Sequence, residues 1–238
     1  MLRFISFLAI IYSVNCASAP FIKPCKSSDN ACLLASAQAA LPIVAAGIPE
    51  LGVKPLDPLH IPLVKSNTAG LEVTFSDNVV TGLKGCKIEA IKNDLAKNKQ
   101  VIAMRCSTEW RGNYQMDGQM IVLPVKGEGK CVLTVQDLVV KTTSDLTTVQ
   151  GEDGKPHWHI AKWKHAYEVK TNAKFQLDNL FNGNKVLADP VINFMNSNWQ
   201  VVMKEMAGPS IYATIEAVID AVEAIYKAVP AEELFISE

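Results

Sequence analysis

Between residues 100 and 123 apolar and polar side chains alternate without losing parity. Even positions carry Ile102, Met104, Cys106, Trp110, Tyr114, Met116, Met120 and Val122, with Gly112 and Gly118 among them; odd positions carry Arg105, Glu109, Arg111, Asn113, Gln115, Asp117 and Gln119. A period of two marks a β-strand with one apolar face. At 3.3 Å per residue such a ribbon would run about 80 Å if straight, several times an ordinary strand. It is therefore predicted to curve strongly or to break into collinear pieces. The two inward glycines are the expected places for bending and for room beneath the sheet. The same alternation puts Leu71, Val73 and Phe75 on one face of a strand over 71–76. Residues 86–106 read as two strands joined by a polar turn near 95–98. Segments 130–150, 156–168 and 168–178 read as further strands, and in the last Val169, Thr171, Ala173, Phe175 and Leu177 share a face.

Then the period changes. Asp189-Pro190 has the form of an N-cap followed by proline at the first helical position. Val191, Met195, Trp199, Val202 and Met206 follow at helical spacing, and Gly208-Pro209 punctuates. A second helix is predicted over 209–229, with Ile211, Ile215, Val218, Val222, Ile225 and Val229 in one stripe, Tyr212, Ile219 and Tyr226 beside it, and Glu216, Asp220, Glu223 and Lys227 on another face. At 1.5 Å per residue it is about 30 Å long. Being apolar around most of its girth, it is expected to be wrapped, and a long curved sheet with one apolar face must wrap something. Near the other end, "SDNACLLASAQAAL" predicts a helix over 30–46, capped by Asp29, ended by Gly47 and bent at Pro42. Prolines 49, 55, 58 and 62 predict a stiff extended connection that excludes a central strand or helix. Asp57 in "LDPL" is expected as a turn or cap residue.

The sequence "NLFNGNK" at 179–185 resembles a binding loop in its density of asparagine and glycine. Asn182-Gly183-Asn184 supplies the positive-φ positions of a tight turn, and Leu180 and Phe181 can anchor it to the core. Val186 to Ala188 separate it from the predicted helix start, so it is read as a turn rather than a catalytic or phosphate loop.

The chain has 238 residues, a net charge of −1 and 49% apolar residues. That suffices for a sizeable core, and the scattered basic residues give no nucleic-acid footprint. "MLRFISFLAIIYSVNCASAP" has the layout of a secretory signal peptide over 1–19, cut somewhere after 16–19. Its apolar run is too short for a good span, so no stable membrane insertion is expected, and the mature domain, 20–238, is expected to be secreted. Six cysteines then become five. Cys25 and Cys32, flanking the turn-like "KSSDN", read as a disulfide in an oxidising compartment. Cys86, Cys106 and Cys131 leave an odd number. Cys86 and Cys106 are expected to face inward on neighbouring strands. A bridge between them is geometrically conceivable, but directly opposed residues give strained bridges, so both are expected to be reduced. No N-glycosylation sequon occurs.

Candidate chemistry is sparse. His157 and His159 share a strand face near His165, yet no further residue completes a zinc set, and a half-exposed strand without metal is the expectation. No G-x-S-x-G elbow, P-loop or H-E-x-x-H motif occurs, so no catalytic residue and no cofactor is predicted. The inward set is rich in methionine and aromatic side chains, whose flexible thioethers suit an adaptable apolar cavity.

Four segments resemble one insect family, the takeout and juvenile-hormone-binding proteins. "FIKPCKSSDNACL" is similar to its N-terminal paired-cysteine segment, "GIPELGVKPLDPLHI" to its first signature, "GNYQMDGQMIVLPVKGEGKCVL" to its central strand and turn, and "DNLFNGNKVLADPVINFMNSNW" to its second signature. The hormone-binding branch carries a further disulfide through late cysteines. No cysteine follows Cys131 here, so the resemblance is to the takeout-type branch. It implies an α+β fold, the α/β-wrap, in which a highly curved antiparallel sheet surrounds a long C-terminal helix as in one tubular lipid-binding module. It also implies an elongated apolar tunnel holding a small hydrophobic ligand such as a terpenoid, fatty-acid derivative or long-chain ester. Parity assigns to the tunnel wall Leu71, Val73, Phe75, Ile102, Met104, Trp110, Tyr114, Met116, Met120 and Phe175, joined by Ile215, Ile219 and Val222 of the helix. A non-enzymatic carrier is the favoured reading; a secreted lipid esterase, or a signalling module with a filled core, is the alternative. No protein partner is indicated.

Overall fold

The computed structural model describes residues 18–68 and 70–236; the predicted signal segment lies outside them except for its last two residues. After a short strand β1 (Cys25–Lys26), helix α1 spans Asn30–Ala46. Asp29 caps it by accepting from the Cys32 N–H at 3.0 Å, and Gly47 ends it at a φ of 88°. Strands β2 (Leu59–Thr68), β3 (Leu71–Thr81), β4 (Lys87–Asp94), β5 (Lys99–Met120), β6 (Leu123–Gln150) and β7 (Pro156–Leu177) form one antiparallel sheet. Its order is β2-β3-β5-β6-β7, with β4 pairing the free part of β5. Three helices follow, α2 (Lys185–Ser197), α3 (Trp199–Met206) and α4 (Gly208–Ala228), then a turn of helix α5 (Ala231–Leu234) and strand β8 (Phe235–Ile236). β8 pairs in parallel with β1, so the two ends of the described chain clasp each other.

The fold is the α+β wrap. β5, β6 and β7 run 22, 28 and 22 residues, and α4 lies against their concave side with Ile211, Ile215, Ile219 and Ile225 buried. Glu216, Asp220 and Lys227 leave α4 toward solvent, with Glu223 half-buried, along the polar stripe that its spacing predicts, whereas Tyr212, expected beside the apolar stripe, is exposed.

Several expectations need correction. Residues 59–68 form a strand despite Pro62, because β2 is an edge and a missing N–H there disrupts no second ladder. The connection before it includes a 3-10 turn at Pro49–Leu51. β5 stops at Met120; Ile121 takes a φ of 61° in the turn and Val122 is exposed, so the alternation overran the strand by two residues. Strand 156–178 is one element whose phase is shifted by bulges; Thr171 points outward and bonds Asp137. Gly112 and Gly118 do not leave room beneath the sheet. A Cβ on Gly112 would lie 2.5 Å from Asn78 Oδ1, and one on Gly118 would lie 2.1 Å from the Gly70 carbonyl, so neighbouring chain fills both places.

The helix after the sheet begins at Lys185, a turn earlier than Asp189-Pro190 suggests. Asn184 is its N-cap and accepts from the Val186 N–H at 3.1 Å, while Pro190 sits inside the helix. The loop 179–185 therefore does open directly onto a helix. Its asparagines are spent on the chain itself: Asn179 donates to the Glu128 carbonyl at 3.0 Å, and Asn179, Phe181, Asn182 and Gly183 hold positive φ while Leu180 is fully buried. It is a clasp between β6 and α2.

Cys25 and Cys32 are disulfide-bonded. So are Cys86 and Cys106, contrary to expectation; Cys131 is the free, buried thiol among the described residues. The β4–β5 ladder ends at Lys87 opposite Arg105, so Cys86 falls just beyond the last pair. Its backbone closes a 3-10 turn instead of a ladder, and its Cα lies 4.4 Å from that of Cys106, the spacing of opposed residues without mutual backbone bonds.

Candidate functional site

Four cavities adjoin along the space between the sheet and the C-terminal helices. The central one, about 970 Å³ of atom-free space partly open to solvent, lies between α4 and the inner faces of β5 and β6. It shares Leu83, Gln100, Ile102, Met104, Val218 and Val222 with a cavity of about 1090 Å³ under α1, which Leu234 and Phe235 close from the C-terminal side. On its other side it shares Trp110, Leu133, Ala207 and Ser210 with a smaller cavity under α2 and α3. That one in turn shares Phe75 and Met206 with a cavity at the end where β2, β3 and β5 meet the turn at Ile121.

The central cavity and the cavity under α1 are lined mainly by apolar side chains, while the far-end cavity also carries Glu205 and Gln119. Among the described residues around the central cavity none carries a charge, and the cavity under α1 has one, the exposed Lys23. Apolar lining of this kind is that of sites for small hydrophobic molecules. Most polar side chains in the wall are turned back on the protein. Thr214 donates to the Ser210 carbonyl at 3.0 Å and Thr142 to the Ile102 carbonyl at 3.4 Å; behind the wall, fully buried Asn78 accepts from the indole N–H of the lining residue Trp110 at 2.9 Å and donates to the Ile61 carbonyl at 2.9 Å. Tyr226 faces the Gln100 amide, and burial pushes its hydroxyl up to about 12.

A model of the family described as haemolymph juvenile hormone binding protein (JHBP) matches residues 4–236. The chain belongs to that family. The circadian clock-controlled protein daywake of Drosophila melanogaster is 26% identical over 253 residues, covering 99% of this chain and 97% of daywake. The crystal structure of Takeout 1 from Epiphyas postvittana superposes with a TM-score of 0.87 at 30% identity, covering 90% of this chain and all of that one. The juvenile hormone-binding protein of Manduca sexta is 31% identical over 83 residues, 34% of this chain and 36% of that protein.

In this family member the residues assigned by parity divide among the four cavities. Ile102, Met104, Trp110, Ile215, Ile219 and Val222 line the central one. Phe75, Met116 and Phe175 line the smaller one, and Leu71, Val73 and Met120 the cavity at the far end. Tyr114 lines none of them; it is buried under the β6–β7 corner and donates to the Asp178 carbonyl at 2.7 Å.

The histidines do not converge. His157 is buried between the Tyr226 carbonyl and Asp153, while His159 lies at the surface with Glu223 at 2.5 Å. Glu223 also accepts from the Ile160 N–H at 2.7 Å, tying α4 to edge strand β7. Among the described residues no cluster of metal-ligating side chains forms, and no helix is long and apolar enough to cross a membrane. Asp57 accepts from the N–H groups of Gly82 and Lys84, capping a turn in another segment.

Sequence reasoning missed the β6 half of the wall. Leu133 and Val135 line the central cavity from odd positions, whereas Leu138, Val140, Thr142 and Ser144 line it from even ones. A bulge at Asp137, whose φ is 53°, inserts one residue and exchanges the faces. The only trace in the sequence is the run "VQDLVV", where the alternation changes phase. The α1 side of the wall, Leu33, Ala37, Leu41 and Val44, was missed because nothing in the sequence says against what that helix packs.

Proposed function

We propose that the chain is a secreted carrier, without catalytic activity, that holds a small hydrophobic molecule in an elongated apolar tunnel. Its signal segment covers 1–19, and 20–238 is one ligand-binding domain. The observation carrying this is the adjoining of the cavities: neighbouring spaces share lining residues on both sides of the centre. Under this reading a molecule longer than any one of them lies along α4. Family membership supports the reading, since relatives in the family are described as hormone- or carotene-binding proteins. The wall assigned to the tunnel comprises the parity residues together with the β6 and α1 residues above; Tyr114 serves as structural support. A terpenoid, fatty-acid derivative or long-chain ester fits the lining.

The energetics favour such a ligand without fixing its affinity. Transfer of about fifteen carbons gives up to roughly 12 kcal/mol, against a cost of association of about 4–15 kcal/mol. Native mass spectrometry of the protein purified from its source, followed by extraction, should release a stoichiometric lipophilic molecule. Incubation with model esters should give saturable binding without turnover. Hydrolysis of the esters, or protein that binds no lipophilic molecule, would overturn the carrier reading.

A further inference from the structure

Gln100 stands in the wall where the central cavity and the cavity under α1 meet, and it is only 2% exposed. Apolar neighbours Leu83, Ile102 and Met104 share that junction. A buried amide in such a place needs a reason, because an apolar residue would fill the volume without any polar group to satisfy. Across the sheet it sits in a polar row: Asn93 of β4 pairs with Gln100 of β5, which pairs with Ser144 of β6. Ser144 is 3% exposed and lines the central cavity. Tyr226 of α4 completes the group from below.

The hydrogen bonds of this group do not close on themselves. Gln100 Nε2 donates to Asn93 Oδ1 at 3.0 Å. The Tyr226 hydroxyl lies 2.8 Å from Gln100 Nε2 and 3.0 Å from Oε1, accepting from the one and donating to the other. Gln100 Oε1 thus accepts one bond and keeps a second lone pair. Asn93 Nδ2 is buried with no partner among the described residues. Turning the amides over changes which atom is left, not that one is left. The Ser144 hydroxyl, directly opposite, adds a rotatable donor and acceptor.

We propose that Gln100 and Ser144, with Tyr226 adjusting its proton, form a polar anchor for an uncharged oxygen group on an otherwise apolar ligand: an ester, ketone or alcohol. This rests on the carrier reading. The anchor is neutral, and the central cavity holds no cation to compensate an ionised carboxylate. Burying that charge there is unfavourable, so the free acid is selected against. Among the described residues of these two walls, Lys23, on the cavity under α1, is the one where a carboxylate would find a partner. The two alternatives therefore predict opposite preferences.

The test is a series built on one sixteen-carbon chain at pH 8, measured by displacement of a fluorescent lipid probe from the full mature protein: hexadecane, methyl hexadecanoate, 1-hexadecanol and hexadecanoic acid. The ester and the alcohol are expected to bind about tenfold tighter than the hydrocarbon, the value of one net hydrogen bond, and tighter than the acid. Gln100→Leu and Ser144→Ala are each expected to reduce the ester-to-hydrocarbon ratio toward one. Ser144→Ala removes only a hydroxyl and keeps the test open if Gln100→Leu does not fold. Equal affinity for ester and hydrocarbon, or a ratio untouched in the folded variants, overturns the anchor and leaves the carrier reading intact. Tightest binding of the acid also overturns the anchor and places the polar group at Lys23. Failure of every member to bind, with the probe itself unbound, removes the carrier reading and the anchor with it.

Discussion

The indole N–H of Trp110 donates to the side-chain oxygen of Asn78 across 2.9 Å, at the point where the β3–β5 register shifts. Asn78 spends its own N–H on the Ile61 carbonyl of edge strand β2. One buried amide thus joins three strands at a bulge, and Gly112 is glycine so that the amide can fit. Asn78→Ala should leave the indole N–H and the carbonyl buried without partners. The expected loss is roughly 2–3 kcal/mol in urea unfolding, the cost of orphaned buried groups. Trp110→Phe should lose less, since it removes its own donor. A loss below about 0.5 kcal/mol for Asn78→Ala would show that the bulge does not depend on this amide.

Two disulfides predict a definite thiol count. Unfolded, unreduced mature protein should expose one thiol, Cys131, and the native protein none that alkylates quickly. Burial pushes the Cys131 thiol up to about 11, so little nucleophilic thiolate exists at neutral pH. Removing the Cys86–Cys106 bridge as a double serine variant should cost about 3 kcal/mol from chain entropy, and removing Cys25–Cys32, which closes a shorter loop, about 2 kcal/mol. Three thiols on unfolding would mean that Cys86 and Cys106 are not bridged.

Alkaline pH should destabilise the fold in a predictable window. Burial raises the Tyr226 hydroxyl from the ordinary 10 to about 12, and the Cys131 thiol from 9 to about 11. Tyr114 is likewise raised to about 12 by burial. In each case the folded state keeps its proton where the unfolded chain has lost it. Their contribution is therefore complete below about pH 9 and is lost as pH rises from there toward 12. For fully buried Tyr226 alone this amounts to about 2–3 kcal/mol. Urea midpoints measured between pH 8 and 11.5 should fall, and Tyr226→Phe should flatten the upper part of the decline. A flat profile would show that these groups are not buried in solution.

Met104 lies in the wall shared by the central cavity and the cavity under α1, while Met116 is buried against the smaller one under α2 and α3. Under the carrier proposal, Met104→Trp should place a ring in the ligand path and weaken binding of a long-chain ester by about tenfold or more, with a native circular dichroism spectrum. Met116→Trp should weaken binding too, but at a cost in stability of about 1–3 kcal/mol from overpacking. Unchanged affinity in a well-folded Met104→Trp protein would take that junction out of the path.

Much of this protein is written in its periodicities. The parity of β5, the helical stripe of α4, the Asp29 cap and the Gly47 stop are local facts, because a strand or helix face is set by neighbours within a few residues. Those periods were enough to say that a curved sheet encloses a long helix. What the sequence alone did not hold was the result of pairing. The bulge at Asp137 exchanges the faces of β6, and whether the extra residue sits there depends on partners thirty residues away on either side. Pro62 is tolerated because β2 has one neighbour, a fact of strand order. Pro190 passed for a helix start because Asn184, already assigned to a turn, was the true cap. Cys86 meets Cys106 through the register of β4 on β5, which no spacing along the chain encodes. The same pairing put Asn93, Gln100 and Ser144 in one row, since hydrogen-bonded ladders, not local preference, decide which side chains of distant strands stand together.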